Sequence, residues 1–301
     1  MDAHRRSRHR DWKVVELGTI IVAGGGVVRD GVVQELRELV DKTQTGVFNS
    51  WAAKGLFQWD NPAHLGTIGL QRDDFVLGQL VDADEVLMLG VDDAEIPRML
   101  LTELGVNWRD IATSDVSALQ LRVRDDVIER PALYGALAAV CQPMYADDSL
   151  PMNPGRAVAD LAAWLPDNAF ATADANICGF WLGRTFPTRH LGSVLLPTKI
   201  TPGFAATAAL TAGRIGQTAV VVTDHIDDVT ESVLERARSI GSSMVVEVWS
   251  QDAQPLSSDK RIMQLEAVLQ AGGVTTLTLG VDLSRRKDLE EVAGPICVWG
   301  L

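Results

Sequence analysis

The chain has 301 residues, of which 47% are hydrophobic and 22% charged, a balance typical of globular proteins rather than disordered ones. This length allows one large or two ordinary domains, each with its own core. A formal net charge of −13 argues against nucleic acid and anionic membranes as partners, because an acidic surface repels both. The longest apolar runs have the length of strands, so no transmembrane helix is expected.

The three cysteines, Cys141, Cys178 and Cys297, are far apart and form no CxxC pair. Neither a zinc site nor a disulfide framework is therefore indicated, and buried reduced thiols in a cytoplasmic protein are expected. The basic start of the chain, residues 1–13, is not followed at once by an apolar segment of the secretory type. We interpret it as a basic tail.

The first half of the chain predicts strands and helices in alternation. Short apolar runs that end at turns are typical of buried parallel strands, and apolar residues at helical spacing predict amphipathic helices. In chain order these are a strand at Gly18–Ala23, a helix at Val32–Val40, a strand at Val47–Ser50, a helix at Phe75–Leu80 and a strand at Glu85–Leu89. This order predicts a doubly wound parallel sheet.

A turn-rich stretch at Met144–Gly155 suggests a linker, and the alternation restarts after it. The fold class is therefore α/β, with two doubly wound parallel-sheet domains at residues 14–145 and 157–301 joined by a linker at 146–156. The second domain is predicted to contain helices at Ala157–Leu165, Gly203–Leu210, Val229–Ile240 and Ile262–Gln270, and strands at Phe170–Ala173, Thr218–Val222, Met244–Val248, Thr275–Leu279 and Pro295–Trp299.

Several motifs together resemble the acetolactate synthase-like enzymes that depend on thiamine diphosphate (ThDP). The motifs are Gly24-Gly25-Gly26 after the first strand, Trp51-Ala52-Ala53-Lys54-Gly55, the stretch Asn61–Gly69, the run Leu80–Gly90, and Asp174–Trp181 followed by Thr201–Ala206. The resemblance covers about Val14 to Leu301. It implies a Rossmann-like central domain followed by a domain of the type that binds the diphosphate of ThDP.

The resemblance is weakest where the cofactor would bind. Enzymes of this family carry Gly-Asp-Gly after a strand and Asn-Asn further on, which place a Mg²⁺ ion and the diphosphate. Here the matching positions are Thr223-Asp224-His225 and Trp249-Ser250-Gln251-Asp252. The resemblance therefore assigns Thr223, Asp224 and His225 to a degenerate cofactor site, with Asp224 and Ser250 as the remaining metal ligands.

Each of these assignments has a simpler alternative. Asp224 is either a surviving metal ligand or the N-cap of the next helix, because Asp is a good N-cap. His225 is either a ligand or an ordinary loop residue. Asp227-Asp228 either adds a carboxylate to the site or forms a solvated acidic first turn.

The central domain of some relatives holds FAD or ADP, and in others it is empty. Gly24, Gly25 and Gly26 could receive a phosphate at the start of a helix, or form a tight turn without a ligand. The family also needs a pyrimidine-binding domain with a glutamate that activates ThDP. Only about a dozen residues precede the central domain, so we expect that domain to be absent, and no residue can be assigned a catalytic role.

Three hypotheses follow from this sequence. The first is a degenerate, non-catalytic ThDP-enzyme homologue with a binding or assembly role. For such a protein, the absence of a bound cofactor and the binding of ThDP with Mg²⁺ are equally plausible. The second is a split ThDP-dependent lyase or carboligase subunit that needs a separate pyrimidine-domain chain. The third is a module that binds FAD or ADP. A homodimer or larger oligomer is also expected, because relatives pair through their diphosphate domains and the Ala-rich helix at Gly203–Leu210 offers a face for this.

Overall fold

The computed structural model describes residues 16–301 and contains two parallel sheets. The predicted basic tail, residues 1–13, lies outside the described residues. The first sheet has five strands in the order β3-β2-β1-β4-β5, and every pair of neighbours is parallel. Its strands are β1 (Thr19–Ala23), β2 (Val47–Asn49), β3 (His64–Thr67), β4 (Glu85–Leu89) and β5 (Trp108–Ile111).

Helices cover both faces of this sheet, which is why β1 in its centre is apolar on both sides. Ile20, Ile21 and Val22 are at most 1% exposed. The helices of this first unit are α1 (Gly25–Arg29), α2 (Val33–Thr43), α3 (Asp74–Leu77), α4 (Arg98–Glu103) and α5 (Ala132–Tyr145). In α2, Leu36, Leu39 and Val40 are buried at helical spacing.

The second sheet also has five parallel strands, in the order β10-β9-β8-β6-β7. Its strands are β6 (Ala169–Ala173), β7 (Val194–Leu195), β8 (Thr218–Thr223), β9 (Met244–Ser250) and β10 (Val274–Gly280). The chain turns to opposite sides of the sheet after β6 and β8. The carboxyl ends of these two neighbours therefore form a topological switch point, where open α/β sheets commonly bind ligands.

The helices of the second unit are α6 (Pro154–Trp164), α7 (Ile177–Thr185), α8 (Phe204–Arg214), α9 (Asp228–Ser239), α10 (Ser258–Ala271) and α11 (Arg286–Ala293). Helix α6 begins inside the predicted linker, 146–156. The side chain of Asn153 accepts a hydrogen bond from the Gly155 N–H, and Pro154 occupies the first turn. Both features favour a helix start at this point.

Two sequence predictions are wrong near the end of the chain. Pro295–Trp299 does not form a strand, and only Ile296 makes a single antiparallel bridge, to Gln71. The segment is apolar because Ile296 and Val298 pack into the core of the second unit. Cys297 is exposed, whereas Cys141 and Cys178 are buried as expected.

The two units are joined by a buried polar contact. In α7, Nη2 of Arg184 lies 2.7 and 2.8 Å from the two carboxylate oxygens of Asp74 of α3, and both side chains of this ion pair are fully buried. Arg184 also donates to the carbonyl of Thr67 at 3.0 Å. The side-chain amide of Gln71 donates to the carbonyls of Leu289 and Gly294, so the end of the chain is fixed to the first unit.

Candidate functional site

The switch point between β6 and β8 holds most of the residues that the sequence assigned to the cofactor site. Asp174 follows β6, Thr223 ends β8, and Asp224 and His225 come directly after it. A cavity of about 120 Å³ lies here. Its lining includes Asp174, Asn176, Thr223, His225 and Asp227.

Asp224 is held by its neighbours. Its Oδ1 accepts from the side-chain amide of Asn176 at 3.1 Å and lies 2.8 Å from Nδ1 of His225. Asn176 in turn caps α7, since its side-chain oxygen accepts from the N–H groups of Cys178 and Gly179. The sequence reasoning did not single out Asn176, although an Asn at the start of a helix is a common cap.

Asp224 does not cap the next helix, contrary to the simpler interpretation of the sequence. The cap of α9 is Asp227, whose carboxylate accepts from the N–H of Thr230 at 2.7 Å. This bond holds the pKa of Asp227 below its ordinary value. Asp228 lies in the first helical turn, where a negative charge favours the helix dipole.

The two residues that replace the family's glycines shape the turn after β8. The hydroxyl of Thr223 donates to the carbonyl of His225 at 2.7 Å and closes the turn. The His225 side chain is 68% exposed and points its Nδ1 to Asp224. Both side chains line the cavity, where glycines would leave the backbone open to a ligand.

Ser250 does not line the same cavity as Thr223 and His225. It ends β9, and its hydroxyl accepts from the N–H of Asp252 at 3.3 Å. Within residues 16–301, no group of three or more His, Cys, Asp and Glu side chains is arranged to hold a metal ion. Asp224 is already engaged by Asn176 and His225, and the described residues offer no complete set of the six oxygen ligands that Mg²⁺ prefers.

The charge of the cavity is also unfavourable for a diphosphate. Asp174 and Asp227 line it, together with His225, and no Lys or Arg of the described chain does. Asp174 accepts from the N–H of Ala205 at 3.0 Å, so a protein carboxylate already occupies the start of α8. Burial raises the pKa of Asp174, and the neighbouring Asp227 acts in the same direction. The residues present do not fit the diphosphate and Mg²⁺ of ThDP.

The glycine turn of the first unit is filled by a side chain that the sequence analysis missed. The carboxylate of Glu95, only 2% exposed, accepts from the N–H of Gly25 at 3.0 Å and from the hydroxyl of Ser50 at 3.2 Å. Its other oxygen accepts from the N–H of Asp92 at 2.8 Å. A phosphate at the start of α1 would have to displace this carboxylate.

Packing explains why Gly24 and Gly26 are glycines. A Cβ on Gly24 would lie 2.3 Å from the Val91 Cα, and one on Gly26 would lie 2.6 Å from the Gly90 carbonyl oxygen. The turn is pressed against the backbone after β4, so these two positions need glycine without any ligand. The assignment of Gly24, Gly25 and Gly26 to a nucleotide stays a prediction.

Two parallel five-stranded sheets, each covered by helices, define this chain as an α/β protein with the architecture of ThDP enzyme domains. The sequence model of the family "Thiamine pyrophosphate enzyme, central domain" matches residues 18–128. Residues 18–128 are therefore similar to the central domain of ThDP-dependent enzymes, and the chain is a homologue of acetolactate synthase large subunits.

Two curated relatives show the same similarity. A protein of Methanocaldococcus jannaschii described as a probable acetolactate synthase large subunit is 25% identical over 228 residues, which are 64% of this chain and 38% of that protein. Sulfoacetaldehyde acetyltransferase of Castellaniella defragrans is 35% identical over 71 residues, 24% of this chain and 12% of that enzyme. The chain thus spans less than two fifths of either relative.

Solved structures share the fold at low sequence identity. Benzoylformate decarboxylase from Polynucleobacter necessarius superposes with a TM-score of 0.66 at 10% identity, over 91% of this chain and 62% of that one. The ThDP-dependent 4-hydroxybenzoylformate decarboxylase of Rhodococcus jostii RHA1 gives a TM-score of 0.61 at 14% identity, over 88% and 61%. No helix within residues 16–301 is long and apolar enough to cross a membrane.

Proposed function

We propose that this chain is a degenerate ThDP-enzyme homologue, non-catalytic by itself, that keeps the family fold for binding or assembly. The observation that carries the proposal is the geometry after β8. Asp224 is tied to Asn176 and His225, and the Thr223 hydroxyl closes the turn that glycines would leave open. The acidic lining, with Asp174 and Asp227, adds an electrostatic barrier to a diphosphate.

Calorimetric titration with ThDP and Mg²⁺ tests this directly. We expect no binding heat in the wild-type protein, because one engaged carboxylate does not replace the lost metal ligands and the cavity carries no basic side chain. The Asp224→Ala variant is titrated in parallel and is expected to behave identically. Folding of both proteins is checked by circular dichroism.

Binding at about micromolar concentration that is lost in Asp224→Ala would overturn the proposal. It would favour the alternative of a split lyase or carboligase subunit, and the search would then turn to a pyrimidine-domain chain. A rise in melting temperature with ADP or FAD would instead favour a nucleotide-binding module. The buried Glu95 carboxylate at Gly25 speaks against this second alternative.

For the assembly role, we propose self-association through the face of α8. Large apolar side chains remain exposed beside this helix, with Ile200 65% and Ile215 68% exposed. The neighbouring edge strand β7 is only two residues long and carries Leu195, which is 40% exposed. Sedimentation equilibrium at micromolar concentration is expected to give a mass above that of one chain, and the mass of a single chain would contradict the proposal.

A further inference from the structure

A second cavity, of about 290 Å³, lies between the two units. It shares no lining residue with the cavity between β6 and β8. Its walls come from the turn after β2, from β3, from α5 and from the end of α7. They include Lys54, His64, Tyr134, Tyr145, Arg184 and Phe186.

The feature that sets this cavity apart is a buried cation without a partner. Lys54 follows the 3₁₀ turn Trp51–Ala53 and is 8% exposed. Among the residues that the structure describes, its ammonium group has no hydrogen-bond or ion-pair partner. A buried, unpaired ammonium is costly, and an anion in the cavity would remove that cost.

The other buried basic groups of the cavity add no further free charge, and Arg189, which also lines it, is exposed to solvent. Arg184 is neutralised by its ion pair with Asp74. His64 is uncharged at neutral pH, because burial, then Lys54 and Arg130, lower its pKa to about 3. Its Nδ1 is buried without a hydrogen-bond partner in the described chain and is left for a ligand. Among the buried groups of the cavity, protonated Lys54 is therefore the cation whose charge no neighbour compensates.

We propose that this cavity binds a small monocarboxylate with an aromatic or apolar body, its carboxylate on Lys54 and its body against the aromatic wall. One buried charge matches a monoanion better than a phosphate dianion, which would carry surplus charge into a poorly solvated space. Trp59, Tyr134 and Phe186 supply the apolar surface. The volume is at the small end of ligand cavities, which are on the order of 300 to 1,000 Å³.

This proposal is independent of whether ThDP binds, because the two cavities are lined by different residues. Burial, and then the charge of Arg184, lower the pKa of Lys54 to about 7, while the Cys141 thiol acts in the opposite direction. A bound carboxylate would favour the charged form of Lys54. Binding is therefore expected to take up protons from solution when it is measured above neutral pH.

The test is calorimetric titration of the full chain with phenylacetate as the probe, and with phenylacetamide as its uncharged counterpart. We expect phenylacetate to bind and the amide to bind at least about tenfold more weakly, which corresponds to about 1.4 kcal/mol. Lys54→Met should weaken phenylacetate binding by at least the same factor. Lys260→Met, which removes an exposed lysine on α10, is the matched control and should bind as the wild type does.

Three results would overturn the proposal. The first is phenylacetate binding that Lys54→Met leaves unchanged. The second is inorganic phosphate binding as tightly as phenylacetate, which would make the site a general anion site. The third is the absence of binding by phenylacetate and by 3-phenylpropionate up to about 10 mM. A second substitution, Phe186→Ala among the aromatic residues of the lining, should weaken the binding of phenylacetate. It should leave the calorimetric titration with phosphate unchanged.

Discussion

At the scale of single residues, the two most informative side chains are buried ionisable groups that form no ion pair within the described chain. Glu95 uses both carboxylate oxygens to hold the turn before α1, and Lys54 has no partner at all within the described chain. Neither position stands out in the sequence, because burial of a lone Glu or Lys depends on elements far apart along the chain. The burial of such residues is therefore the most difficult feature to predict from a single sequence.

The lowered pKa of Lys54 leads to a pH-dependent stability. Between its folded value of about 7 and its ordinary value of 10.5, the unfolded chain holds a proton that the native state has released. Stability contributed by this group therefore rises with pH in that window, by up to about 1.4 kcal/mol per pH unit. Lys54→Met removes the effect, so the variant should be more stable than the wild type near pH 7, with an advantage that shrinks as the pH rises.

Urea unfolding of the two proteins from about pH 7.5 to pH 9.5 measures this difference. Of the groups around Lys54, His64 and Cys141 also feel its charge, but their pKa values of about 3 and about 11 in the folded chain lie outside this range. Arg184 and Asp74 are the same in both proteins. A difference in unfolding free energy that stays constant over this range would show that Lys54 keeps its ordinary pKa.

At the scale of elements, the sequence predicts best the strands that are buried on both faces. The runs Val86–Leu89 and Ala219–Val222 are continuously apolar, and they lie in β4 and β8. Of the four edge strands, β10 was predicted, whereas β3, β5 and β7 were missed. In β5, Arg109 and Asp110 are exposed, and β3 lies inside a stretch rich in turn residues. Apolar character alone also gave a wrong strand at Pro295–Trp299, where it reflects packing into the core of the second unit.

The start of α9 provides a prediction at this scale. Removing the Asp227 carboxylate leaves the Thr230 N–H without its partner. Asp227→Ala should therefore lower the free energy of unfolding by about 1 kcal/mol, within the usual range of about 0.5–2 kcal/mol for N-caps. Thermal or urea unfolding gives the value.

The neighbouring Asp228→Ala is the control, because Asp228 makes no side-chain hydrogen bond to the helix backbone and acts only on the helix dipole. Its loss should be smaller, about 0.3–1 kcal/mol. Equal losses in the two variants would contradict the assignment of Asp227 as the cap.

The candidate site shows the same limit of sequence-based prediction as the edge strands. The motif located Asp224 correctly at a strand end but could not identify Asn176 and His225 as its partners.

At the scale of the whole molecule, the buried pair of Asp74 and Arg184 joins the two units. Removing one partner of this ion pair leaves the other as an uncompensated buried charge, which typically costs about 3–5 kcal/mol. Asp74→Asn and Arg184→Met are each expected to lower the free energy of unfolding by about this amount. The double variant should lose clearly less than the sum, because neither charge remains.

A double-mutant cycle measured by urea unfolding gives the coupling energy between the two residues. The adjacent exposed pair, Arg72 and Asp73, has an N–O distance of 3.0 Å and serves as the control. The same substitutions there should change stability only slightly, because exposed ion pairs contribute little. Additive losses at Asp74 and Arg184 would show that the pair does not hold the units together.

The three cysteines lie at three different depths of this architecture. Cys297 is exposed, Cys141 lines the cavity between the units, and Cys178 is buried at the start of α7 in the core of the second unit. The three thiols of the chain therefore differ in their accessibility to thiol reagents. Cys297 is expected to react with a thiol reagent in the native protein. Reaction of Cys141 would indicate that the two units have separated. Reaction of Cys178 would indicate that the helices covering the second sheet have unfolded.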